Sequence, residues 1–143
     1  HDMDASPLFP ALEVPLTGCS RFAADERIAG RLGESVEAVL AELASAEGRG
    51  PRVVRGDIAT GDRFVADRAS RERVRALVPS ALCVEMEGAA VAQVCAEYGV
   101  PFGVVRLISD SAAESAASDF SAALSTIAAG FPRSVIARYA PPH

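Results

Sequence analysis

From Phe102 to Ile108 every residue is apolar or glycine except Arg106, and the polar pair Ser109-Asp110 follows at once. Such a run, rich in β-branched residues, is the pattern of a strand covered on both faces, as in sheets with helices on either side. The sequence before it fits that frame. Gly88 to Tyr98 reads as a helix whose many alanines allow close packing against a sheet, stopped by Gly99 with Pro101 just beyond. Ala81 to Glu87 is apolar and then abruptly acidic, a second strand. Asp67 to about Leu77 is a short, strongly charged helix with Arg68, Arg71, Glu72, Arg73 and Arg75 facing solvent, ended by Pro79. Val53 to Ala59 reads as a strand interrupted by Gly56, with a Thr60-Gly61-Asp62 turn after it. From Ala24 to about Ala46, Ile28, Leu32, Val36, Val39, Leu40 and Leu43 recur at helical spacing, with Asp25 near the start and Gly48 to Pro51 at the end. Pro7, Pro10 and Pro15 leave the first twenty-odd residues extended or looped. A last helical stretch runs from about Phe120 to Tyr139, interrupted near Gly130-Phe131-Pro132. This alternation predicts an α/β fold with a mixed or parallel sheet between helices.

With 143 residues, half of them hydrophobic, the chain is long enough for one domain with a core. A net charge of -5 carries no footprint for nucleic acid. No apolar run reaches the length of a membrane span, about 18 residues or more, and no secretory signal is visible. A cytoplasmic location is expected. Cys19, Cys83 and Cys95 form no CxxC pair and read as buried, reduced thiols. The first residue is not Met, and the opening His1-Asp2-Met3-Asp4 reads as the interior of a larger protein.

The two histidines, His1 and His143, stand at the two ends, which nearly removes a Ser-His-Asp triad or a histidine metal site. Carboxylates are left to carry any chemistry, with no metal expected. In open α/β sheets ligands bind outside the carboxyl ends of the strands. Glu85-Met86-Glu87 and Ser109-Asp110 both occupy that position and are expected at one rim. Each acid also has a purely structural reading. Asp110 could cap a following helix, and Glu87 could simply favour a helix N-terminus. Two carboxylates delivered to one edge make a site an equal alternative. Arg106, inside an apolar strand, needs a partner, because a buried unpaired charge is strongly destabilising. Glu85 on the neighbouring strand is the natural candidate. The segment from Gly56 to Val65 has neither Walker nor dinucleotide-binding spacing. Taken alone it is a strand ending in a tight turn, with Phe64 more readily a core residue than a ligand platform.

Val84-Glu85-Met86-Glu87-Gly88-Ala89-Ala90, followed in register by Val104-Val105-Arg106-Leu107-Ile108-Ser109-Asp110, resembles the signature of the nucleoside phosphorylase superfamily. The likeness is greatest to its methylthioadenosine/S-adenosylhomocysteine nucleosidases. Gly61-Asp62-Arg63-Phe64-Val65 is similar to that family's turn ahead of the purine pocket, and His1 to Asp4 to the segment opening its second half. The resemblance implies a three-layer nucleoside phosphorylase-like fold with a mixed central sheet, of which residues 1–143 form the C-terminal portion. It implies hydrolysis of the N-glycosidic bond of 5′-methylthioadenosine or S-adenosylhomocysteine, in methionine salvage, without a cofactor. Asp110 would be the acid that protonates the departing adenine, supported by Ser109. Phe64 would stack on the purine and the Val65 backbone meet its edge. Glu85, Met86 and Glu87 would form the substrate-binding wall, Glu87 accepting from the ribose hydroxyls, with Arg106 behind them. The partner is a small purine nucleoside. A homodimer is implied, in which Leu8 and Phe9 help cover the other subunit's site. The family's N-terminal half, with the glutamate that activates water, has no counterpart here, so no residue of this sequence takes the general-base role. Phosphorylases of the superfamily commonly carry Arg or His soon after the matching Asp, whereas Ser111-Ala112-Ala113-Glu114 stands here. That favours hydrolysis; a phosphorylase, a futalosine-type nucleosidase and an inactive fragment are the alternatives.

Overall fold

A computed structural model of the chain describes residues 1–43, 52–108 and 130–140. Its elements in order are α1 (Glu26–Leu43), β1 (Asp57–Thr60), α2 (Arg68–Leu77), β2 (Ala81–Glu85), α3 (Gly88–Glu97) and α4 (Phe131–Tyr139). Each helix start has a local cause. Asp25 accepts from the N–H groups of Arg27 at 3.0 Å and Ile28 at 2.9 Å, capping α1. Asp67 accepts from the Ser70 N–H at 2.8 Å and caps α2 in the same way. At the far end of α3, Gly99 takes φ +64°. Its N–H reaches the Ala96 carbonyl and the Val100 N–H reaches the Cys95 carbonyl at 2.8 Å, the paired closure that a left-handed glycine allows.

Two apolar clusters hold the described residues together. Leu32, Val36 and Val39 of α1 pack on Phe131 and Val135 of α4. The Arg31 guanidinium lies 4.6 Å over the Tyr139 ring and donates to the Tyr139 carbonyl at 2.6 Å, closing the end of that pair. The second cluster joins Ala59, Val65 and Val74, with Val78, Ala81 and Val84 against it. It fastens α2 to the sheet and places the turn after β1 beside the end of β2.

Among the described residues the sheet is two-stranded and parallel, one of the two arrangements, mixed or parallel, that the alternation allows. Ile58, Ala59 and Thr60 stand opposite Cys83, Val84 and Glu85. The Gly61 N–H continues the ladder onto the Glu85 carbonyl at 3.1 Å. Both strands therefore end at the same level.

Several expectations are corrected. The strand expected over Val53 to Ala59 begins only at Asp57; Gly56 lies so close to Leu82 that a Cβ there would come within 2.3 Å of its side chain. The apolar run Phe102 to Ile108 forms no strand of the sheet among the described residues. One side of it is covered: a Cβ at Gly103 would fall 2.6 Å from Ile28 and 2.8 Å from Leu32 on α1. Leu107 and Ile108 are exposed, so it is not covered on both faces. The cysteines are free, as expected, but half-buried rather than buried. The last helix is described only from Phe131. No helix among the described residues is long and apolar enough to cross a membrane.

Candidate active site

The parallel register brings Thr60 and Glu85 side by side at the carboxyl ends of β1 and β2. The Glu85 side chain keeps 7% of its surface exposed, so its charge requires partners. It has several. The Thr60 hydroxyl donates to Oε1. The N–H groups of Gly88 at 2.7 Å and Glu87 at 3.1 Å donate to Oε2, a charged cap on the first turn of α3. Arg106 forms an ion pair with the same oxygen. Burial pushes the Glu85 pKa up, but the hydrogen bonds from Thr60, Arg106, Glu87 and Gly88 outweigh it and hold the carboxyl below its ordinary range.

Arg106 thus finds the partner expected of it, and a second one: its guanidinium also meets Glu87 Oε2 at 2.6 Å. Burial alone would lower the Arg106 pKa; the two carboxylates raise it. Its side chain is 34% exposed and that of Glu87 69% exposed. The three charges form a graded row from inside to outside: Glu85 largely covered, Arg106 partly covered, Glu87 at the open rim. Such a row presents one carboxylate at a fixed position while the chain neutralises its neighbour. Glu87 does not bond its own helix start through its side chain. Glu85 makes those bonds instead, so the Glu87 carboxylate stands at the start of α3 without a capping hydrogen bond and pairs with Arg106.

Met86 follows β2 at the same rim and is exposed. In the turn after β1, Val65 is buried in the second cluster, whereas Phe64 is 52% exposed. The core reading of Phe64 is therefore corrected: the aromatic ring stands at the surface and the valine takes the core position. Ser109 and Asp110 lie outside the described residues. The side chain that sequence reasoning passed over is Thr60, read only as part of a turn; its signal was its place at the end of a strand parallel to one ending in Glu85. A shallow recess lined by Cys19, Asp25, Cys95 and Phe102, among others, lies at the opposite end of α3 and contains no part of this network. Among the described residues no group of three or more His, Cys, Asp or Glu side chains could hold a metal ion.

The family model described as the phosphorylase superfamily matches residues 1–139. A 5′-methylthioadenosine/S-adenosylhomocysteine nucleosidase of Geobacillus kaustophilus is 42% identical over 129 residues, covering 90% of this chain and 51% of its own length. Among solved structures, the same kind of nucleosidase from Neisseria meningitidis, in complex with methylthio-immucillin-A, superposes with a TM-score of 0.80 at 31% identity. That match covers 97% of this chain and 56% of the other. A futalosine hydrolase of Helicobacter pylori gives a TM-score of 0.74 at 32% identity, over 95% of this chain and 55% of its own. The chain spans about half the length of the curated relatives it matches.

Proposed function

The chain belongs to the phosphorylase superfamily, and from that premise we propose that it supplies the base- and ribose-binding wall of a nucleosidase that hydrolyses 5′-methylthioadenosine or S-adenosylhomocysteine and releases adenine. The observation that carries this reading is the Glu85–Arg106–Glu87 row at the carboxyl ends of two parallel strands. The similarity to nucleosidases over most of this chain supports it.

Cleaving an N-glycosidic bond builds cationic character on the sugar and negative charge on the purine. As the C1′–N9 bond breaks, its electron pair passes into the base, and a proton delivered to N7 neutralises it. Asp110 is the proposed donor, supported by Ser109. Water adds to C1′, giving its proton to a base for which this sequence offers no candidate. Glu87 accepts from the ribose hydroxyls, and those hydrogen bonds strengthen as the sugar becomes cationic. Arg106 fixes one Glu87 oxygen, so the carboxylate arrives oriented. Met86 and Phe64 contribute apolar surface to ribose and purine, and the Val65 backbone meets the purine edge.

The remaining half of the fold is proposed to pack on the apolar surface that Leu82, Val91, Val94, Tyr98, Leu107 and Ile108 expose. A homodimer is proposed as well, with exposed Leu8 and its neighbour Phe9 reaching the second subunit's site, in a cytoplasmic protein. The likeness to futalosine hydrolase supports a second reading, a nucleosidase acting on another base or 5′ group.

The ribose assignment is tested with Glu87→Gln in the complete protein. It removes the charge that answers the developing cation but leaves the purine contacts alone. The expected result is a loss of about 10²-fold in kcat/KM for methylthioadenosine, with adenine affinity by calorimetry unchanged. Unaltered kcat/KM would show that Glu87 does not serve the ribose.

A further inference from the structure

Thr60 ends β1 directly opposite Glu85. Its hydroxyl donates to Glu85 Oε1 and at the same time accepts from the Ala89 N–H at 2.9 Å. That N–H belongs to the first turn of α3, where backbone donors have no partner inside the helix. A hydroxyl both donates and accepts through one atom. Because a lone pair of Thr60 is used by the helix, its O–H is left to point at the carboxylate. Oε2 of Glu85 is meanwhile taken by the Glu87 and Gly88 N–H groups and by Arg106. With Thr60, both Glu85 oxygens are held and its side chain has one orientation. Arg106 inherits that orientation and passes it to Glu87.

We infer that Thr60 is a positioning residue for the ribose carboxylate: acting through Glu85 and Arg106, it orients Glu87 and so sets the preference for substrates that carry their vicinal hydroxyls. This rests on the reading of Glu87 as the ribose ligand. Valine matches threonine in shape but makes neither hydrogen bond. It would leave Glu85 Oε1 and the Ala89 N–H without this partner and let the row of charges turn. Serine keeps both bonds.

The test compares Thr60→Val and Thr60→Ser with the unsubstituted protein, each complete, on methylthioadenosine and on its 2′,3′-dideoxy analogue. Thr60→Val is expected to lower kcat/KM for methylthioadenosine roughly 10- to 100-fold, the range of a lost hydrogen bond to a charged group. Its rate on the dideoxy analogue, where Glu87 has no hydroxyl to meet, should stay close to that of the unsubstituted protein. Thr60→Ser should recover most of the loss. Equal losses on both substrates, or no loss, would overturn the inference, because a merely structural role does not distinguish them.

If the unsubstituted protein released no base, the nucleosidase reading would fall, and acid unfolding would decide the Thr60 claim by itself. Arg106, Glu87 and Cys83 are titratable groups that face Glu85. Without the Thr60 hydrogen bond the Glu85 pKa rises toward its ordinary value, so Thr60→Val should begin to unfold at higher pH than Thr60→Ser. Coincident acid limbs for the two variants would refute the claim that Thr60 holds Glu85.

Discussion

Asp110→Asn in the complete protein is expected to lower kcat for adenine release by about 10²–10⁴-fold, the contribution of a positioned general acid. That is roughly 3–5 kcal/mol of transition-state stabilisation. The substitution separates the two readings of this residue. Asparagine caps a helix as well as aspartate does, so a purely structural Asp110 would lose neither stability nor turnover. As a proton donor it cannot be replaced, because the amide has no acidic proton to give N7. Thermal unfolding should therefore be unchanged while turnover collapses, and near-normal turnover would refute the assignment. For Asp110 to work near neutral pH its surroundings must favour the protonated form, through desolvation or hydrogen bonding to it.

The second large effect belongs to Glu85. Glu85→Gln keeps the shape of the side chain and removes the charge against which Arg106 and the start of α3 are arranged. Breaking a fully buried pair costs about 3–5 kcal/mol. Arg106 keeps a third of its side-chain surface in water and still meets Glu87, so the expected loss is smaller, about 1–3 kcal/mol. The pH dependence has a definite sign. The Glu85 pKa is held below its unfolded-state value, so the stability it contributes is fully present above the ordinary carboxylate range. It is lost as pH falls through the lowered pKa. Denaturation curves for the unsubstituted protein and Glu85→Gln should lie apart at neutral pH and converge in acid. Curves that coincide at neutral pH would show that the row of charges contributes nothing to folding.

What was legible in the sequence follows the range of the interactions involved. Helix α1 could be read from apolar spacing and Asp25, and α2 as a short charged stretch between Asp67 and Pro79, because periodicity and helix-end signals are local. The end of α3 at Gly99 was legible for the same reason. The Arg106–Glu85 pair was legible too, since a charge in an apolar run demands a partner and few carboxylates stand at the right level. The run from Phe102 to Ile108 was read as a doubly covered strand, and among the described residues it pairs with no strand and leaves Leu107 and Ile108 exposed. Its apolar residues carry the pattern, but pairing needs a neighbouring backbone, and the described residues supply none beyond β1 and β2. Phe64, read as more readily a core residue, is exposed while Val65 is buried, because a turn decides which of two adjacent apolar side chains faces inward and the sequence does not give that phase. Thr60 escaped notice because its two bonds reach residues 25 and 29 positions away. The roles of Asp110, Ser109 and Glu87 toward a nucleoside came from resemblance rather than from spacing.

Adenine release from methylthioadenosine by the complete protein, measured with and without inorganic phosphate, distinguishes hydrolysis of the nucleoside from phosphorolysis and from inactivity. The expected result is the same rate in both conditions, with free methylthioribose as the second product. No adenine release, or release that requires phosphate and yields a sugar 1-phosphate, would contradict it.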